Sequence, residues 1–312
     1  MLKRIWAELL FSCGSALLGA GHPRLALWLL AGAVRARASE PAFLCAAALA
    51  ASRAGKRDRA ARFCERALEL VPGLAAAYEI LVGLFLHGEE YFHVLERLHG
   101  RLKPRTYVEI GVETGASMRL VQPGTAALGI DPQPAIAFPM PEGVRIFSET
   151  SDEFFARRDV RAELGGLPVD LALIDGMHHF EYALRDFINL ERLCGPESTI
   201  LIHDCFPLDR TTARRERVMT FWSGDIWRLV VLLKKYRPDL SIHTIATPPT
   251  GLGVVRGLDP SSRFLQDNLQ RLCDEFSALD YGFLDQDRAA SLSLFPNDWE
   301  RIQALLPPPF RA

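Results

Sequence analysis

The chain has 312 residues, 49% of them hydrophobic and 24% charged, with a mean hydropathy of +0.06. That composition excludes a disordered chain and supplies enough apolar material for one large core or two smaller ones. The formal charge of −2 and pI near 6.5 exclude a protein-wide positive field that would attract nucleic acid.

The charge is uneven along the chain. Residues 1–105 carry 15 Lys and Arg against 9 Asp and Glu, leaving 21 against 29 for the remainder. A basic front of this kind reads as a solvated face or as a dock for an acidic partner or a membrane surface. The six cysteines are scattered without a CxxC pair, so neither a zinc nor a redox centre is indicated and reduced thiols in a cytoplasmic protein are expected. Leu9 to Ala20 is apolar and follows Lys3 and Arg4, but Glu8 interrupts it and it is too short to span a bilayer. No transmembrane segment is expected.

A shift of 34 residues lays Gly21 on Gly55, Ala26 on Ala60 and Ala33 on Ala67. This spacing resembles the tetratricopeptide repeat, whose paired helices need Gly at the turn and Ala where helices touch. The second copy closes at Pro72, and a partial third unit is expected around Gly88, with helices at Ala75–Leu86 and Glu90–Leu98. An ordinary alanine-rich array of helical hairpins accounts for the same pattern. Either way residues 1–102 read as all-helical, with a surface open to a protein partner.

After Lys103-Pro104-Arg105 the pattern changes. Short apolar runs (YVEIG, AALGID, VRIF, VDLALIDG, STILIHDC, SIHTIAT, GLGVVRGL) alternate with amphipathic stretches over residues 103–258. The expected fold is α/β and Rossmann-like, a seven-stranded, mainly parallel sheet whose last two strands form an antiparallel edge hairpin around Pro248–Gly251. In such sheets ligands bind beyond the carboxyl ends of the strands. The residues there are Glu109 to Gly115, Asp131, Glu149 to Asp152, Asp175 to His179, and His203 with Asp204. Gly111 and Gly115 would let a ligand approach the main chain. Asp131 is placed to accept two ribose hydroxyls, a pattern that dinucleotide dehydrogenases share.

In this order, EIGVETGAS, GIDP, SDEFF, LIDGMHHFEYALRDF and ILIHDC resemble the class I S-adenosylmethionine-dependent methyltransferases, in particular the branch with catechol-type and macrocin-type O-methyltransferases and cephalosporin hydroxylase-like proteins. The resemblance covers residues 104–258. It implies that Glu109, Gly111 and Gly115 shape the cofactor loop, that Ser117 meets the methionine carboxylate, that Asp131 holds the ribose, and that Ser151 or Asp152 meets the adenine edge. Glu113 stands where many such enzymes have a third glycine.

The resemblance also implies O-methylation of a small-molecule or sugar-like hydroxyl, with His178 as general base beside Asp175. His178 or His179 capping the next helix, or orienting Asp175, is the structural alternative. Some relatives bind Mg²⁺, for which Asp175 and Asp204 are the ligands to consider, although His203 replaces an oxygen donor. Trp222 and Trp227 would line an acceptor pocket or fill the core. Residues 259–312 are expected to be a helical extension, covering the sheet or meeting a second copy in a homo-oligomer. A non-catalytic scaffold that binds partners through the repeats is the alternative from another class.

Overall fold

The computed structural model describes residues 2–217, 219 and 221–311. The chain forms two compact units, one running to His87 and taking in Phe221, the other holding Gly88–Arg217 and Trp222 onward.

The first unit contains α1 (Leu2–Gly19), α2 (Pro23–Ala36), α3 (Pro41–Arg53), α4 (Arg57–Leu70) and α5 (Ala75–Phe85). Gly21 and Gly55 turn the chain between α1 and α2 and between α3 and α4, both with left-handed φ, +81° and +72°. Such angles suit glycine, which explains the residue at each end of the 34-residue shift. Ala26, Ala60, Ala33 and Ala67 are all fully buried, so small side chains stand where the helices touch.

The second unit opens with α6 (Tyr91–Leu102) and continues through β1 (Thr106–Ile110), β2 (Ala126–Ile130), β3 (Val144–Phe147), α7 (Ser151–Arg157), α8 (Val160–Glu163), β4 (Val169–Ile174), α9 (Phe180–Glu191), β5 (Cys194–His203), α10 (Trp227–Tyr236), β6 (Ser241–Ile245) and β7 (Leu252–Arg256). The sequence groups α6 with the helical repeats; in the structure it belongs to the sheet unit. Its Val94, Leu95, Leu98 and Leu102 share a core with Tyr107, Leu171, Leu173, Leu201 and Val254 on one face of the sheet. On α9, Phe180, Ala183, Leu184 and Phe187 are buried at helical spacing, and that helix packs against β4 and β5.

The sheet is α/β and Rossmann-like, as expected, but it has eight strands rather than seven, in the order β3-β2-β1-β4-β5-β7-β6-β8. Strands β1 to β5 are parallel, and β7 runs antiparallel to both β5 and β6. The eighth strand comes from the C-terminal segment. After α11 (Phe264–Asp267), α12 (Leu269–Ser277), α13 (Gly282–Gln286) and α14 (Arg288–Ser291), β8 (Leu294–Phe295) pairs parallel with β6, and α15 (Trp299–Gln303) follows. Two residues, Leu-Phe, make too short an apolar run to announce a strand. The pairing is nevertheless firm, since Ser293 and Phe295 carbonyls accept the Thr244 and Ala246 amides at 2.9 and 2.8 Å. Ile302 and Leu306 then join the sheet core. No helix among the described residues is long and apolar enough to cross a membrane.

Candidate active site

The carboxyl ends of β1, β2, β4 and β5 bring the polar residues together. Apart from Thr106 and Glu109 on β1, Asp170 on β4 and the polar start of β5, these strands are apolar, and polar side chains gather where they leave the sheet.

At the end of β1, Glu109 is fully buried. Its carboxyl group accepts the Tyr107 hydroxyl at 2.6 Å and the Ser117 hydroxyl. Burial pushes Glu109 up to about 8 against the pull of those two bonds. Gly111 has φ +89°, and a Cβ there would lie 1.9 Å from the Asp175 carbonyl oxygen. What comes close to this glycine is the neighbouring chain, locked in place by the Asp175 amide donating to Ile110 at 2.8 Å. Gly115 faces Met140 and Ile136, the former 2.8 Å from its absent Cβ. Glu113, at the position where a third glycine is common, keeps a left-handed φ of +46°.

At the end of β2, the Asp131 carboxylate clasps the β1 loop. Its Oδ2 accepts the Val112 and Glu113 amides at 3.0 and 2.8 Å, and its Oδ1 accepts Gln133 N–H at 2.8 Å. Beyond β3, Thr150 caps α7 through a reciprocal bond with Glu153. Asp152 is held by Arg185 through two bonds of 2.9 and 2.7 Å. Ser151 hydrogen-bonds to Asp186 on α9, whose carboxyl group burial pushes up to about 7.

Asp175, His178, His203 and Asp204 form one cluster. His178 Nε2 lies 3.3 Å from Asp175 Oδ1, and its Nδ1 lies 3.2 Å from Asp204 Oδ2. His203 Nδ1 lies 3.1 Å from Asp175 Oδ1 and 3.2 Å from Asp204 Oδ2. Two imidazoles thus face two carboxylates. Burial works against charge on every member, yet mutual attraction prevails: Asp175 and Asp204 are held below the usual carboxylate range, and both histidines above theirs. His178 and Asp204 hold left-handed φ, +56° and +59°, a strain that the packing around them must sustain.

The surroundings fix the rings. Tyr91 of α6 stacks on His203 with centroids 4.1 Å apart, and Trp222 stacks on His178 at 5.0 Å. Asp225 N–H donates to the His178 carbonyl at 3.2 Å. The Asp225 carboxylate accepts Phe180 N–H at 2.7 Å, Arg215 at 2.8 Å and also Arg228. Trp227 is core, 1% exposed.

Asp175, His178 and Asp204 can present three ligand atoms within 4.8 Å of one another. His178 Nδ1 and Asp204 Oδ2 are buried without a well-aligned hydrogen bond, which suits a cation between them. Two oxygens and an imidazole fit Mn²⁺, Fe²⁺ or Zn²⁺ better than Mg²⁺, which prefers oxygen throughout.

Residues 108–205 match a family model described as a methyltransferase domain. The matched domain runs from β1 to the turn after β5, so it contains every residue of the Asp-His cluster and leaves out the helices before it. No curated protein matches the chain. Similar solved structures include cofactor-bound Rv0187 from MTB, 18% identical over 62% of this chain and 94% of that one, with a TM-score of 0.43. The O-methyltransferase TomG from Streptomyces achromogenes, involved in tomaymycin synthesis and complexed with SAM, is 16% identical over 63% and 86%, at 0.40. An O-methyltransferase from Bacillus cereus, complexed with SAH, is 12% identical over 62% and 96%, at 0.39. At this degree of likeness no substrate and no residue role passes from those proteins to this chain.

The sequence singles out Asp175, His178, Asp204 and His203, which the fold gathers at one point. It singles out neither Tyr91, which lies in a segment that reads as a repeat helix, nor Asp186. For Asp186 a signal exists: an acid next to Phe187 on the apolar face of α9, 3% exposed, in a stretch whose other inward positions, Glu191 apart, are hydrophobic.

Proposed function

We propose that the sheet unit is an S-adenosylmethionine-dependent methyltransferase acting on the hydroxyl of a small or sugar-like molecule, with His178 as general base. The observation that carries this is the methyltransferase-domain match over residues 108–205, whose strand ends carry the Asp-His cluster. A purely scaffolding role would leave that cluster of buried charges without a use.

The cofactor, when bound, supplies an electrophilic methyl group. The loop from Gly111 to Ser117 would receive its amino-acid end. Ser117 gives its proton to Glu109, so the lone pairs it offers suit the ammonium better than the carboxylate that the family resemblance assigns to it. Asp131 Oδ1 accepts one amide and can take a ribose hydroxyl as well. Ser151, whose proton goes to Asp186, can accept from the adenine amine, while Asp152 is occupied by Arg185.

His178 takes the acceptor's proton at Nε2. Its Nδ1 faces Asp204, which orients the ring, and Asp175 beside Nε2 stabilises the imidazolium that forms. A second role for the same residues has its own support: the three ligand atoms of Asp175, His178 and Asp204 would hold a divalent cation, which would act as a Lewis acid on the acceptor oxygen.

Calorimetry with S-adenosylmethionine, S-adenosylhomocysteine and NAD tests the cofactor. The first two should bind, NAD should not, and Asp131→Ala should weaken binding at least about tenfold through loss of charge-assisted hydrogen bonds. Turnover separates the two roles of the cluster. With His178 as base, His178→Ala should cost about 10²–10⁴-fold and chelation little; with a metal, chelation abolishes turnover and Asp204→Ala is as damaging as the histidine change.

A further inference from the structure

We propose that the outer face of the first helical hairpin is a docking surface for an anionic lipid bilayer. In the helical unit most of the exposed large apolar side chains, Leu70 and Val71 at the end of α4 apart, lie on α1 and α2: Ile5, Trp6 and Leu9 on the first, Leu25 and Trp28 on the second, with Trp6 60% and Trp28 71% exposed. The buried stripe of α1 runs through Ala7, Gly14 and Leu18, and that of α2 through Ala26, Leu27, Leu30 and Val34. At 3.6 residues per turn, the exposed sets lie on the far side of each helix. Leu10 reaches from α1 over Gly32 of α2, its Cδ1 3.1 Å from where a Cβ would stand, and so joins the two stripes. Along α1 from Leu9 onward the exposed positions are Leu9, Ser12, Cys13, Ala16 and Gly19, none of them charged.

Where a helical stack meets water its outer face needs to be polar. Here that face presents two indoles, groups suited to the boundary between acyl chains and headgroups, where the ring is buried and the N–H stays hydrated. Charge selects the occupant. Lys3 and Arg4 flank the apolar stripe on α1, Arg24 and Arg35 flank it on α2, and none of the four forms an ion pair among the described residues. The acid on this face, Glu8, is paired with Arg37 at 2.5 Å. A second copy docking through the same face would set one basic rim against another. An anionic headgroup layer matches both the apolar centre and the rim.

The test is co-sedimentation of the full chain with vesicles of phosphatidylcholine alone and of phosphatidylcholine with about one-third phosphatidylglycerol. Binding to the anionic vesicles should be at least about tenfold tighter and should weaken with salt. The double change Trp6→Ser with Trp28→Ser should abolish it, with folding checked by circular dichroism. Arg24→Glu, at an exposed position that leaves the helix core untouched, should weaken binding more than about fivefold and keeps the test decisive if the tryptophan variant misfolds. Equal affinity for both vesicle types, or none for either, overturns the proposal. So does a dimer in lipid-free solution that the tryptophan changes dissociate, since the face would then be a self-interface.

Discussion

His99 is fully buried on α6, edge-on to Tyr107 at 4.7 Å, and neither ring nitrogen has a hydrogen-bond partner. Burial lowers it to about 4. The folded chain therefore refuses a proton that the unfolded chain accepts below about 6.5. Stability from this position is full above pH 6.5 and declines as pH falls towards 4, by about 3 kcal/mol in all. Glu109 and Asp186 act with the opposite sign. Raised to about 8 and about 7, they cost the fold stability as pH climbs from the ordinary carboxylate range through those values. His99→Leu should add about 1 kcal/mol or more at neutral pH by removing two unsatisfied buried nitrogens. It should also flatten the acid limb between pH 4 and 6.5 while leaving the alkaline limb unchanged. Urea titrations across that range would show it, and an unaltered acid limb would mean that the ring finds a partner on protonation. The two loop glycines make a second contrast. A methyl at Gly111 meets the backbone carbonyl of Asp175 at 1.9 Å, whereas one at Gly115 meets the flexible end of Met140 at 2.8 Å. Both pay for left-handed φ, about 1–2 kcal/mol, but Gly111→Ala should cost about 3 kcal/mol or more, with Gly115→Ala near the lower figure in the same denaturation assay.

Among the elements, the segment between β5 and α10 is tied to the start of α9 through Asp225. A fully buried carboxylate holds Phe180 N–H and the guanidinium groups of Arg215 and Arg228, and Arg215 also bonds Glu181 at 2.8 and 2.5 Å. Gly224 must be glycine here, since a Cβ would stand 1.9 Å from the His178 carbonyl. Asp225→Ala would leave the Phe180 amide without its acceptor and take one carboxylate from Arg215 and Arg228, which keep Glu181 and the Leu279 carbonyl, so a loss of about 3 kcal/mol is expected. Asp225→Asn keeps an acceptor for Phe180 N–H and should lose less. Limited proteolysis should find new cleavage within 205–225 in the alanine variant; resistance equal to the wild type would show that other contacts hold the segment. This clamp explains what the sequence could and could not say about the site. Asp175, His178, His203 and Asp204 were legible because each ends an apolar strand run, a one-dimensional signal. Arg215 and Tyr91 were not, because their importance arises from contacts with Glu181 and His203, made across 34 and 112 positions of chain. Strand β8 escaped for a related reason: Leu294 and Phe295 gain their strand character only from β6 beside them.

At the scale of the whole molecule, the decisive element is α6. Its sequence continues the alternation of helices that precedes it, yet Val94, Leu95, Leu98 and Leu102 are buried in the sheet core with Tyr107 and Leu201. The Tyr91 amide also donates to the Pro248 carbonyl at 3.1 Å, and Thr247 and Asn297 both donate to the Glu89 carbonyl, at 2.6 and 2.7 Å. A protein beginning at Gly88 retains all of these. One beginning at Lys103 loses four buried aliphatic side chains from one face of the sheet, at about 1.5–3 kcal/mol each, a total comparable with the entire stability of an ordinary domain. The shorter chain is therefore expected to aggregate or to expose apolar surface to a dye such as ANS, while the chain from Gly88 stays monodisperse and melts cooperatively. On the proposed function it should also match the full chain in affinity for S-adenosylhomocysteine, since Glu109, Asp131 and Ser151, proposed to form the cofactor site, all lie within it. If the chain from Lys103 folds and binds equally well, α6 is dispensable to the sheet and belongs functionally with the helices before it. If the chain from Gly88 also fails, the sheet unit depends on residues 1–87 for its stability.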